Sequence, residues 1–479
     1  MTDRPVLWTS QDAAAATNGK TTAPFTAAGV SIDTRTLKKG DLFVALKGDA
    51  LDGHNYVEAG FKAGAAAAVV NEAFAAKDAS WPLLRVADTT KALENLGIAA
   101  RARSKAVIVG VTGSAGKTGT KEILYVLFSA LGETHASKKS FNNHWGVPLS
   151  LANLPLTAQY AVFEMGMNHA GEMTMLASWV KPQFTLITTI EPAHIEHFKT
   201  VEAIADAKAE IFTGMTEDGV AVLPADNPHF KRLKTAAEKQ GLRKIYGFGE
   251  EDEEAQTRLV DCALHADSSR VTADILGERV KYKLGIPGKH IVMNSLGAMT
   301  IIKAAGGNLQ KAADALKNAE ATEGRGNRIS LNIADGQAPL TIIDESYNAN
   351  PASMAAAFRV FEMAVPPEGG RRIAVLGDML ELGKDGPRLH ADLANPLLRA
   401  KVDLLYCCGP QMDALYQALP EPWRGGHAND SRALAALVVA AVKPGDVLLV
   451  KGSAGSKMGY IVHELQVARE KTKEQRNAV

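Results

Sequence analysis

From residue 106 onward, short apolar runs alternate with longer amphipathic ones, a rhythm that predicts strand, loop and helix in repeated succession. "AVIVGV" (106–111), "YAVFEMG" (160–166), "FTLITTI" (184–190) and "GVAVLPADN" (219–227) are apolar runs with polar or charged residues at their C-terminal ends. Strands of that kind suit a parallel sheet covered on both faces, whose ligands gather where the strands end. Before residue 105 the runs are shorter, as in "DLFVAL" (41–46) and "AAAAVV" (65–70), and Gly-Asp turns separate them. They predict a small α/β unit. Segment 250–283 has weaker apolar content and reads as a hairpin-like excursion, its "EEDEEAQ" charge run a solvated surface.

After "GRGNRISL" (324–331) a third series begins: "LTIID" (340–344), "RIAVLGD" (372–378), "DLLYCCG" (403–409) and "DVLLVKGS" (446–453). Alanine-rich helical stretches separate these runs, again the signature of a doubly wound sheet. The expected fold class is α/β in three domains: a small α/β domain over 1–105, a central phosphate-loop parallel-sheet domain over 106–324 and a Rossmann-like domain over 325–479. The length of 479 residues agrees, at roughly 150 residues per domain.

Composition narrows the choice of partner. Lys+Arg and Asp+Glu balance at 53 each, so no bulk field draws the chain to nucleic acid or to an anionic membrane, and any phosphate must be gripped locally. The three cysteines, Cys262, Cys407 and Cys408, form neither a disulfide framework nor a zinc spacing and read as small core residues. The N-terminal "MTDRPVLWTSQDA" lacks a basic start followed by an apolar core, and no apolar run reaches the roughly 18 residues of a membrane span. A cytoplasmic protein without membrane insertion is expected.

The stretch "VIVGVTGSAGKTGTKE" (107–122) carries the first chemistry. The strict phosphate-loop pattern G-x-x-x-x-G-K-[ST] fails by one residue, since Val111 stands where the first glycine belongs. The physical requirements are nevertheless present. Gly113 and Gly116 allow the turn, Lys117 can reach terminal phosphates, and Thr118 opens a helix that buries Ile123, Leu124, Leu127, Phe128 and Leu131. Magnesium on a nucleotide takes only one or two carboxylates, and Glu164 at a strand end is the candidate. His194, in "EPAHIEHF", also follows a strand, where a ligand and a structural role are about equally open.

Lys208 is the least expected residue. Ile204, Lys208, Ile211 and Phe212 share one helical face, so the lysine points with the apolar residues. Either it snorkels past the helix edge, or desolvation favours its neutral amine, a nucleophile able to capture CO2 as a carbamate and become an anionic metal ligand. "SFNNHWGVP" (140–148) and "DESYNANPASM" (344–354) offer neutral donors and acceptors beside strands, although each taken singly is also a turn sequence.

Together these stretches resemble the Mur ligases, the ATP-dependent amide-forming family of peptidoglycan synthesis. The family loop T-G-x-x-G-K-[ST] is matched by Thr112 to Thr118, and the likeness runs from "SIDTRTLKKGDLFVALKGDALDGHNY" through "FEMGMN", "EPAHIEHF" and "AKAEIF" to "YNANP", "LGDMLELG" and "VKGS". "FNNHWGVP" and "YNANP" are most similar to the member that adds D-alanyl-D-alanine to UDP-N-acetylmuramoyl-tripeptide. The resemblance implies that Thr112, Gly113, Ser114, Ala115, Gly116, Lys117 and Thr118 hold the ATP phosphates, with Lys117, His194 and Lys208 as catalytic residues. Thr118 and Glu164 would ligate one magnesium ion, and His194 with a carbamylated Lys208 would support a second. Asn294, Arg325, Asp344 and Asn348 would contact the nucleotide, and Ser31, Arg35, Asn142 and Asn143 the UDP-sugar peptide.

The implied partners are UDP-N-acetylmuramoyl-tripeptide and D-Ala-D-Ala, the implied cofactors ATP and Mg2+, and the expected state a monomer. Three positions depart from the pattern: Gly119, Trp145 and Ala454, the last standing where the family often has arginine. Alternatives are another Mur-type or folylpolyglutamate-type ligase, against which "YNANP" argues, and a phosphate-loop kinase.

Overall fold

The computed structural model describes residues 4–48, 51–193, 195–334 and 336–477. Three sheets dominate it. The first has five strands in the spatial order Lys20–Thr21, Leu83–Val86, Ala67–Asn71, Asp41–Val44 and Gly29–Ser31. The helix Thr89–Arg103 covers it, starting where the Asp88 carboxylate accepts hydrogen bonds from the Thr90 and Lys91 amides. Ala92, Leu93, Leu96 and Ala100 supply its buried stripe.

The second sheet has nine strands. Its middle runs Lys244–Gly249, Val220–Pro224, Phe184–Ile187, Val107–Thr112, Tyr160–Glu164 and Thr134–Ala136, all parallel. The inner strands Val220–Pro224, Phe184–Ile187, Val107–Thr112 and Tyr160–Glu164 are mostly apolar because both faces of the sheet are covered by apolar clusters. Beyond Lys244–Gly249 the sheet continues through Thr257–Leu264, Ser269–Ile275 and Glu278–Leu284, the last two pairings antiparallel. The hairpin-like expectation holds for the antiparallel pairing, but the segment is not an excursion: it extends the central sheet. Its apolar content is low because only alternate residues are buried. Val271, Ala273, Ile275, Val280, Tyr282 and Leu284 face a core that includes Val292, Leu296 and Met299 of the helix Lys289–Ala304, while their neighbours face outward.

The third sheet has the order Asn327–Leu331, Leu340–Glu345, Val447–Lys451, Arg372–Gly377, Leu404–Cys408 and Arg424–Ala428. Only its first pair is antiparallel. Cys407 and Cys408 are buried on opposite faces of one strand, each in its own apolar cluster, and burial raises both thiols, Cys408 to about 12. No helix among the described residues is long and apolar enough to cross a membrane.

Candidate nucleotide and substrate site

The strand Val107–Thr112 pairs with Tyr160–Glu164 on one side and Phe184–Ile187 on the other, so three strand ends open together. Val111 is fully buried and lies in register with Glu164 and Leu186. The position that breaks the strict loop pattern thus belongs to the strand, and the turn begins at Gly113. Gly113 has φ of +148°, and a Cβ there would come within 1.9 Å of Thr188 Oγ1; at Gly116, φ is +79° and a Cβ would lie 2.5 Å from Asn294 Nδ2. Both positions exclude side chains.

The helix Lys117–Ser129 starts directly from this turn. Lys117 Nζ donates to the Gly113 carbonyl at 2.8 Å, folding the side chain back across the loop. Burial lowers its pKa, with Glu164 opposing and Arg325 adding to the shift. Thr118 Oγ1 donates to Glu164 Oε2, and Asn142 Nδ2 donates to Glu164 Oε1, both at 2.7 Å. Glu164 is buried, and each of its oxygens is aimed by a different element.

Lys208 ends the helix Val201–Ala209, which Thr200 caps. It is 2% exposed, so the choice left open by its spacing falls to the buried side. Desolvation lowers its pKa far below the usual lysine value, and the charge of Lys117 adds to this. His194 lies outside the described residues.

A cavity of about 990 Å³ opens above these strand ends, walled by both the central and the C-terminal domain. Ser114 to Lys117, Glu164, Asn142, Asn143 and Asn294 line it from one side, and Arg325, Asn348 and Ala454 from the other. Arg325 stacks its guanidinium 4.1 Å over the Tyr347 ring, and the Tyr347 hydroxyl meets Ser140 Oγ across the cleft. Lys451 holds the opposite end of this loop, donating to the Asn348 carbonyl at 2.9 Å while paired with Glu345 at 3.1 Å.

Asp344, Ser31, Arg35 and Thr112 stand apart from the cavity lining, while Asn143 lines it and also serves the local backbone. Asp344 spends both carboxylate oxygens on amides of its own surroundings, Gly324 and Ser346, each at 3.1 Å, and so shapes the loop that carries Arg325. Ser31 bonds to the backbone of Asp33, and Arg35 pairs with Asp33 at 2.6 Å on the first domain's surface. Thr112 is buried beneath the turn. Asn143 accepts from the Gly146 amide at 2.9 Å and starts the helix Gly146–Ala152, while Trp145 packs on the first domain's core.

Sequence patterning passes over Tyr347, Lys451 and Lys121. Lys121 carries the signal that singled out Lys208, since it shares a helical face with the buried Leu124 and Phe128.

This fold and site define a phosphate-loop protein whose cavity beside the loop is completed by a separate C-terminal domain. The Mur ligase middle domain matches residues 111–302, the Mur ligase glutamate ligase domain residues 324–454, and the Mur ligase family catalytic domain residues 26–99. The chain belongs to the Mur ligase family. It is 34% identical over 442 residues to the UDP-N-acetylmuramoyl-tripeptide--D-alanyl-D-alanine ligase of Bacillus subtilis, covering 91% of this chain and 93% of that one. A crystal structure of MurF from Acinetobacter baumannii superposes with a TM-score of 0.80 at 29% identity, over 96% of this chain and 98% of that one. MurF ligase from Thermotoga maritima in complex with ADP gives 0.74 at 25% identity, over 93% and 98%.

Proposed function

We propose that this protein is an ATP-dependent ligase that joins D-alanyl-D-alanine to UDP-N-acetylmuramoyl-tripeptide, giving the pentapeptide precursor, ADP and phosphate. The observation that carries the reading is the single cavity in which the phosphate loop, the Asn142–Asn143 loop and the Tyr347–Asn350 loop meet. Relatives named for this reaction cover nearly the whole chain.

In this reading the terminal carboxylate of the tripeptide attacks the γ-phosphorus of ATP, the bond to ADP breaks, and an acyl phosphate forms. The free amine of D-Ala-D-Ala then attacks the acyl carbon, and the tetrahedral intermediate expels phosphate as the nitrogen loses its proton. Loop amides and Lys117 neutralise the phosphates, a contribution of positioning and electrostatics with no covalent step by the protein. Arg325 and Asn348 approach from the C-terminal domain, and Asn294 from beneath Gly116.

The donor set fits magnesium: a hydroxyl and a carboxylate, Thr118 and Glu164, sit beside the loop as hard oxygen ligands. When bound, such an ion offsets charge between the carboxylate and the transferring phosphoryl group. Lys208, buried and with its amine form favoured, suits capture of CO2 as a carbamate, and with His194 would hold a second ion. Asp344 acts through the loop it shapes, and Ser31 and Arg35 would help to hold the UDP-sugar peptide. The protein works as a cytoplasmic monomer in this reading, where ATP and the UDP-linked precursor are at hand.

Phosphate release is measured with UDP-MurNAc-tripeptide, with and without D-Ala-D-Ala. Release that depends on the dipeptide is expected, and release indifferent to it would sink the ligase reading.

A further inference from the structure

Lys121 is 1% exposed, although it takes no part in the chemistry above and does not line the cavity. It lies one turn beyond Lys117 on the same helix. Its ammonium donates to the Ser137 carbonyl at 2.7 Å and the Lys139 carbonyl at 3.1 Å and pairs with the Glu122 carboxylate at 2.5 Å. Burying an ammonium is costly, and an apolar side chain of similar volume would fill the space without that cost. What the charge provides is a fixed position for two carbonyls of the segment Ser137–Lys139.

That segment needs holding. Lys139 has φ of +48°, a left-handed conformation that a residue with a Cβ seldom adopts. The Ser137 hydroxyl receives the Glu164 amide at 3.4 Å. The residues that follow form one wall of the cavity: Ser140, which meets Tyr347, then Asn142, which aims Glu164, and Asn143. Consecutive turns of one helix therefore present Lys117 to the nucleotide and Lys121 to the loop opposite.

We infer that Lys121 is a positioning residue that hangs the substrate-side wall, residues 140–143, from the nucleotide helix, so that its buried charge sets affinity for the UDP-linked acceptor peptide. This rests on the ligase reading, in which Asn142 and Asn143 contact that substrate. The Lys121 ammonium itself bonds to the 137–139 segment and Glu122 and not to residues 112–116, so replacing it leaves the helix's own bonds to the phosphate turn in place.

Calorimetric titration of the full-length protein tests it, using UDP-MurNAc-tripeptide and ADP separately against wild type, Lys121→Met and Lys121→Arg. Lys121→Met should weaken the tripeptide nucleotide at least tenfold and change ADP affinity by less than about twofold, with Lys121→Arg falling between it and wild type. Unchanged tripeptide affinity in the folded methionine variant, or equal loss for both ligands, overturns the proposal. Lys121→Gln, which keeps an amide donor, is read by the same criteria if the methionine variant does not fold. Hydrogen exchange of the ligand-free proteins reads the wall directly: amides of 138–141 should exchange at least tenfold faster in the variant while those of the helix Lys117–Ser129 do not. If wild type binds no tripeptide nucleotide, the substrate reading fails, and exchange alone decides the role of Lys121: unchanged protection at 138–141 overturns it.

Discussion

Thr118 Oγ1 and Glu164 Oε2 stand 2.7 Å apart, joining the first turn of the nucleotide helix to the end of the adjacent strand. With Asn142 on the other oxygen, the carboxylate is held at both ends and presents its remaining lone pairs beside the phosphate loop. Glu164→Gln preserves size but removes the charge that, in the ligase reading, would hold a metal-bound nucleotide. A loss of about 10²–10³ in kcat is expected, the usual scale for removing a preorganised electrostatic group. ADP affinity measured without metal should change little, which separates loss of the charge from collapse of the loop.

In the ligase reading Lys208 helps to stabilise transition-state charge, so Lys208→Ala should lose at least about 10² in kcat. If the lysine acts as a carbamate, short carboxylates added to the alanine variant should partly restore the rate. A variant that keeps full activity would reject this role.

Val111→Gly recreates the strict phosphate-loop pattern. Because Val111 is a fully buried strand residue, the change should cost about 2–4 kcal/mol, combining lost burial with the flexibility of glycine in a strand. ADP affinity, measured by titration, should not improve. Tighter ADP binding would show that the turn extends further back than Gly113.

His390 gives the C-terminal domain a dependence on pH. It is fully buried, and one tautomer satisfies both ring nitrogens: Nδ1–H donates to the Gly386 carbonyl at 2.6 Å, and Nε2 accepts the Met379 amide at 2.9 Å. Burial lowers its pKa from the ordinary 6.5, so the folded chain refuses a proton that the unfolded chain accepts. Its contribution is complete above pH 6.5 and declines as pH falls below that value, with a slope of at most about 1.4 kcal/mol per pH unit. Denaturant midpoints at pH 7.5 and 5.5 should show a smaller pH difference in His390→Leu than in wild type, even though the variant is less stable at both.

The sequence by itself determined the strands, the turn and the chemical types. Continuous apolar runs marked the parallel strands because both faces are covered, and the spacing of Ile204, Lys208 and Ile211 put the lysine on the apolar face while leaving burial and snorkelling both open. It read 250–283 as a hairpin-like excursion, which held for the antiparallel pairing but missed the join to the central sheet, because a run buried on one face does not reveal the sheet that receives it. It also could not tell which polar side chains face the cavity and which serve the backbone. Asn142 and Asp344 look alike in the chain, yet one aims Glu164 across 22 positions and the other is consumed by Gly324 and Ser346. Only tertiary structure decides this, since Glu164 and Gly324 are brought to Asn142 and Asp344 from distant parts of the chain. Likewise the buried charge of Lys121 has its function in carbonyls 16 and 18 residues away, a closure that no local pattern encodes.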